Sequence, residues 1–109
     1  MTHKEVAAMV KAIGYPYAYY QFSKDTAKKP PFVCYFYTDI DDVMADNINY
    51  QRIVTLNIEL YTRDKDFDAE MRVENTLADH GISYYKEENY IDSEQIYQIA
   101  YETEVLING

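Results

Sequence analysis

Cysteine occurs once, at Cys34, tryptophan is absent, and glycine and proline occur three times each. A single thiol excludes an internal disulfide and any multi-thiolate metal centre. Three glycines are too few for a phosphate-cradling loop, and neither a P-loop nor a dinucleotide fingerprint can be written anywhere. Basic side chains are scarce as well, 10 Lys and Arg against 19 Asp and Glu, for a net charge of −9. Such a chain is repelled by phosphate backbones, which argues against ordinary nucleic-acid binding. No early apolar run has signal-peptide length, and none approaches the roughly 18 residues needed to cross a membrane. The expectation is a soluble domain, intracellular or particle-associated.

What the sequence does have is enough apolar matter for a core. Its 109 residues are 48% hydrophobic, a globular fraction in a length that suits one domain over 1–109. A chain of this size buries roughly two-thirds of its unfolded surface. Tyrosine is abundant, 13 residues beside 4 Phe; it suits strands by propensity and interfaces by its apolar ring and polar tip. Charge is uneven: residues 1–64 sum to −1 and residues 65–109 to −8.

Thr2 and Glu5 have capping-box spacing, Val6, Met9, Val10 and Ile13 follow at helical intervals, and Gly14 and Pro16 end the run. The spacing predicts a helix over 3–13. Residues 15–22 are aromatic and extended, an edge strand or loop because of Pro16. Residues 23–31, with Lys24, Lys28 and Lys29, read as a basic loop. Phe32–Tyr37 is a strand with bulk on both faces: Phe32, Cys34 and Phe36 against Val33, Tyr35 and Tyr37. Residues 38–50 read as a long acidic connection or extended hairpin tip, mobile in an isolated subunit. Residues 51–61 alternate with Val54, Leu56, Ile58 and Leu60 inward. A second helix is expected over 66–79, ended by Gly81, with Glu70 and Glu74 interrupting its apolar stripe. A short strand over 82–85, an acidic turn over 86–94 and a last strand over 95–107 follow. The predicted class is α+β, two helices on one face of a mainly antiparallel sheet, in the order α-β-β-α-β-β.

Candidate chemistry is sparse. Asp39, Asp41, Asp42 and Asp46 evoke a calcium loop. Val43 and Met44, however, stand where an EF-hand wants its third oxygen and its glycine, and Tyr50 where it wants its closing glutamate. His3 and His80 have no nucleophile or metal pattern around them. Cys34, mid-strand among aromatics, reads as a small buried hydrophobe. Glu87-Glu88 and the Glu102/Glu104 pair read as solvated charge. The expectation is a protein with no enzymatic activity, no cofactor and no metal, whose work is contact.

The order of several short motifs adds to this. Tyr19-Tyr20, Pro30-Pro31-Phe32-Val33, Ala45-Asp46-Asn47, Ile58-Glu59-Leu60-Tyr61-Thr62, Gly81-Ile82-Ser83-Tyr84-Tyr85-Lys86, Tyr90-Ile91-Asp92-Ser93-Glu94 and Ile96-Tyr97-Gln98-Ile99 together resemble the tail terminators of long-tailed phages and prophages of Gram-positive bacteria. These small neck proteins are also called tail-to-head joining or tail completion proteins. The resemblance runs from about residue 15 onward. It implies an α/β fold with two helices on a sheet, and a structural role in the virion at the tail–head junction, with assembly in the host bacterial cytoplasm. It also implies a self-assembled ring, typically hexameric, that caps the tail tube protein and docks to the head connector. DNA would pass through such a ring without specific binding, and no membrane is involved. The carboxylates of residues 65–109 would then keep DNA from sticking near the lumen. Another small connector protein, or an acidic DNA mimic, would be the alternatives.

Two helices can cover only one face of the sheet. One face of strand 32–37 is therefore expected to bury against a neighbouring subunit, with Val33, Tyr35, Tyr37 and Tyr61 as the candidate interface.

Overall fold

A computed structural model describes residues 1–22, 28–45 and 49–108; of 40–45 and 49–51 it describes the backbone alone. The first helix, α1, runs His3–Ala12. Its capping box closes both ways at 3.1 Å: the Glu5 amide donates to the Thr2 hydroxyl, and the Thr2 amide donates to the Glu5 carboxylate. The Thr2 amide, and then its hydroxyl, hold the Glu5 carboxyl below its usual range. Gly14 follows at φ 98°, where the Arg72 guanidinium comes so close that an added Cβ would lie 2.1 Å from it.

Three strands come next, β1 (Tyr17–Tyr19), β2 (Phe32–Ala45) and β3 (Asn49–Thr62). The chain continues through α2 (Phe67–Asp79), β4 (Tyr85–Ile91) and β5 (Ile96–Ile107). Asp66 caps α2 by accepting from the Ala69 amide at 3.0 Å. At its other end Gly81 sits at φ 69°. There the Ile82 amide reaches the Leu77 carbonyl and the Gly81 amide reaches the Ala78 carbonyl, both at 2.9 Å, a Schellman closure.

The five strands form one sheet in the order β1-β2-β3-β5-β4. Only β1 pairs in parallel, Tyr17 to Tyr19 beside Val33 to Tyr35. The α+β class with two helices on a mainly antiparallel sheet is the one expected. The strand count is not: β1 makes five, and the order becomes α-β-β-β-α-β-β. Pro16 does not block β1, because it sits just outside the strand and its carbonyl accepts from the Val33 amide at 2.8 Å.

Two segments read as connections are strand. The β2–β3 ladder continues to Ala45 opposite Asn49, so most of 38–50 is an extended hairpin. Residues 46–48 of that segment lie outside the described residues, as does the 23–27 stretch of the basic loop. Between Thr38 and Asp41 the register shifts. Asp39 takes φ 48° there, a bulge that absorbs the extra residue. The acidic turn expected over 86–94 is β4 through Ile91, and the strand expected over 82–85 begins only at Tyr85. Charged residues on both faces disguise β4, yet an edge strand carries charge readily and is protected by it.

The core lies between the helices and one face of the sheet. Val54, Leu56, Ile58 and Leu60 of β3 are buried there, as expected, with Ile99 and Tyr101 of β5; Tyr97 is half-buried. Val6, Met9 and Val10 of α1 and Ala69, Val73 and Leu77 of α2 close over them. The opposite face of the sheet carries no helix among the described residues.

A candidate docking surface

Strand alternation sends neighbouring residues of β2 to opposite faces. Val33 pairs with Leu60, Tyr35 with Ile58 and Tyr37 with Leu56, which places all three under the helices. Val33 is a core residue at 1% exposure, and Tyr35 and Tyr37 pack half-buried against the core. Tyr19 meets the rings of both tyrosines, at 5.2 and 5.9 Å between centroids. The Tyr37 hydroxyl lies 3.0 Å from Nδ1 of His3. Burial, with Tyr35 and Tyr19 nearby, pushes the Tyr37 hydroxyl up to about 12.

Tyr61 pairs with Phe32 and therefore faces the other way. The four residues expected to make one interface are split between two faces. The chain's own helices cover three of them.

The open face divides into two halves. Its β2 side is aromatic. Phe32 stacks on Tyr61 with centroids 4.9 Å apart and planes at 20°. Phe22 meets Phe32 edge-on at 5.4 Å, and Tyr20 meets Phe36 at 5.6 Å. A local backbone feature brings Tyr20 and Phe22 there: the Tyr20 amide makes the last bond to β2, 2.7 Å to the Tyr35 carbonyl, and Tyr20 then takes φ 70°. Together with Cys34 and Ile96 these rings line a groove of about 430 Å³, with Lys28 and Glu94 at its lips.

Tyr61 is fixed at the groove wall. Its hydroxyl donates to the Glu59 carboxylate at 2.8 Å and accepts from the Gln98 amide at 2.9 Å. Burial raises its pKa, and the Glu59 carboxylate beside it adds to that. Cys34 is 4% exposed. Burial, reinforced by Glu59, pushes its thiol up to about 11, far from the thiolate a nucleophile needs.

The other half of the open face is acidic. Glu59 pairs with Ala100 and Asn57 with Glu102, Thr55 pairs with Glu104, and Glu87 pairs with Ala100 from β4. Glu59, Glu87, Glu102 and Glu104 therefore share this face. Alternation with core residues gathers the carboxylates into one lane instead of scattering them.

Charge is organised differently under α2. Glu70 is 3% exposed, and its oxygens lie 2.6 Å from the Lys65 ammonium and 2.8 Å from that of Lys86. Contacts this short between opposite charges are charge-assisted. Lys65 also pairs with Glu88. Lys86 also pairs with Glu74 at 2.7 Å, and Glu74 accepts from the Tyr101 hydroxyl at 2.7 Å. Burial works against the Glu70 charge, but the two ammonium groups outweigh it and hold its carboxyl below the usual range. Glu70 and then Glu88 raise Lys65 in turn. The residues that seemed to interrupt the apolar stripe of α2 thus tie the helix to β4. Their shared partner on β4, Lys86, lies 16 residues on from Glu70 and 12 from Glu74, beyond any helical spacing, so the sequence pattern gave no sign of it.

Among the described residues no three of His, Cys, Asp and Glu gather to hold a metal, and no helix is long and apolar enough to cross a membrane. His80 lies with Nδ1 2.8 Å from the Thr76 carbonyl, at the far end of α2 from the Glu70 cluster. No protein-family model matches the sequence, and no curated protein matches it either.

Proposed function

We propose that this chain is a structural assembly subunit that forms a ring at the tail–head junction of a long-tailed phage or prophage, capping the tail tube and docking to the head connector. The ordered motifs between Tyr19 and Ile99 suggest the family. The observation that carries the reading is the aromatic half of the open face: Phe32, Phe36 and Tyr61 beside Tyr20 and Phe22 form a concave apolar surface on a sheet already covered once. A surface of that kind marks a place of contact. The nearby carboxylates of Glu59, Glu87, Glu102 and Glu104 suit a ring through which DNA slides without sticking.

The experiment is co-expression with the tail tube protein, viewed by electron microscopy. Tubes of uniform length ending in a ring that contains this chain are expected. Tubes of unregulated length with no bound chain would overturn the reading. A second reading draws on the acidic lane itself, whose carboxylates lie about 7 Å apart along β5 and could imitate a phosphate row toward a DNA-binding protein. A stable complex with such a protein that DNA displaces would favour it.

A further inference from the structure

The outer edge of β5 is covered in two pieces. β4 lies beside it from Ile96 to Glu102, where Tyr85 makes the last pair. At the far end the Met1 ammonium donates to the Leu106 carbonyl at 2.7 Å, and the Asn108 amide donates to the Met1 carbonyl at 2.9 Å. Between these covers, no strand lies beside Thr103–Leu106 on that side among the described residues. The side to which backbone groups point alternates along an antiparallel strand. The Leu106 carbonyl points away from β3, toward Met1, so the Leu106 amide and both groups of Glu104 point outward as well. Those three groups meet no backbone partner among the described residues.

The chain before β4 leaves a hollow there instead of filling the gap. It bends to the helix side, where the Thr103 hydroxyl donates to the Ser83 carbonyl at 2.6 Å. The notch measures about 700 Å³, with Ile82, Tyr84, Tyr85 and Glu104 among its walls. On its open-face border Tyr85, Glu102, Glu104 and Leu106 share one face of the sheet. Tyr85 is 84% exposed and Leu106 45% exposed, and the two exposed carboxylates stand between them. No Lys or Arg lines the notch.

We infer that this notch takes an extended segment of a partner protein, added as a short strand beside β5, with a basic side chain over Glu104. The unpaired edge selects a strand, because an extended backbone meets such amides and carbonyls in alternation. The carboxylates of Glu102 and Glu104 select the basic residue, and a guanidinium between them also meets the Tyr85 ring. The residues on either side of it turn apolar side chains toward Ile82 and Tyr84. Four positions are free between Tyr85 and Met1, roughly 14 Å at ~3.4 Å per residue, so the segment is short. The site lies at the other end of β5 from Ile96 of the aromatic groove, and the inference does not rest on the ring reading.

Amide exchange on the full chain, followed residue by residue by nuclear magnetic resonance, tests the inference. The probe is the capped peptide Val-Arg-Val-Arg-Val. Val-Glu-Val-Glu-Val controls for charge, and N-acetylarginine amide supplies the cation without a strand. In the free chain the Glu104 and Leu106 amides should exchange fast, while those of Thr103 and Val105, aimed at β3, exchange slowly. The arginine peptide at saturation should slow Glu104 and Leu106 at least ~10-fold, and neither control should. Glu104→Lys, at an exposed position, should bind the arginine peptide at least ~5-fold more weakly. The wild-type comparison stands without that variant should it fail to fold.

A Glu104 amide already slow in the free chain would overturn the inference, as would an arginine peptide that slows neither amide up to its solubility limit. Equal slowing by either control would overturn it too. So would slowing confined to Tyr85–Ile91 of β4, or peptide-induced shifts confined to the groove around Tyr61.

Discussion

The two faces of this sheet are built from the same strands with the same alternation, yet they hold different matter. Under the helices β2 and β3 contribute Val33, Val54, Leu56, Ile58 and Leu60, each at most 2% exposed. On the open side the same strands contribute Phe32, Phe36 and Tyr61, all half-buried, together with carboxylates. Aliphatic residues dominate the closed side, where packing is permanent, with Tyr101 buried among them and Tyr35 and Tyr37 packed against them. Aromatic residues with polar borders occupy the other, where a surface must stay soluble and still be ready to bury. The difference separates the part of the molecule that sets stability from the part that meets a partner.

The sharpest contrast comes from paired truncations. Leu56→Ala opens a cavity at a fully buried site and is expected to cost roughly 2–5 kcal/mol in urea denaturation. Phe36→Ser is expected to change stability by less than half as much while weakening self-association. Equal losses of stability at the two sites would erase the distinction between the faces.

Glu70 tests whether the closed side tolerates this buried charge because of its partners. Glu70→Gln removes the charge and leaves Lys65 and Lys86 with Glu88 and Glu74. Because both lysines are partly exposed, the expected cost is about 1–3 kcal/mol, below that of stripping a fully buried pair. The pH dependence has a definite sign. The carboxyl is held lower in the folded state than its value of 4.5, so the unfolded chain binds the proton first as pH falls. This stabilisation is present above about pH 4.5 and is lost as pH drops through the lower folded value. The variant should show a shallower loss of stability in that acid window, and an identical acid limb would remove Glu70 from the account.

Gly14→Ala is expected to cost about 1 kcal/mol, since φ 98° strains any side chain. The steric part is smaller, because the neighbour is the flexible end of Arg72, which also lies 4.5 Å from the Tyr15 ring centroid. A neutral result in thermal melts would show that the α1–α2 joint relaxes freely. The smallest effect concerns Cys34. With its thiol pushed up to about 11 and a place in the groove, it should alkylate at neutral pH far more slowly than in denaturant, and slower still in the assembled form. Rapid labelling of the folded chain would mean that the groove floor is open.

Much of the fold was legible because the helices announce themselves at both ends. Thr2, Glu5, Gly14 and Gly81 are local signals, and each does in the structure what its type suggests. The alternation of β3 likewise needs no partner to be read. β1 and β4 were harder. Three residues are too few to show a period, and the charges of Lys86 and Glu88 make sense only once Lys65, Glu70 and Glu74 stand opposite them. The candidate surface was half legible. The sequence shows two bulky faces on 32–37 and requires that one be covered, but which one depends on where the helices pack, a tertiary fact. Placing Val33, Tyr35 and Tyr37 with Tyr61 joined residues of opposite faces, which only the β2–β3 register separates. Ile96 and the turn at Tyr20, which complete the groove, come together only in the folded chain.

The central claim is that the aromatic half of the open face is a place of contact in a ring that caps tail tubes. Electron microscopy of tubes co-expressed with the chain, wild type beside Phe36→Ser, measures it most directly. The account expects uniform tubes ending in a ring with the wild type, and tubes of unregulated length with a Phe36→Ser chain that still folds. Equal capping by both chains would contradict it.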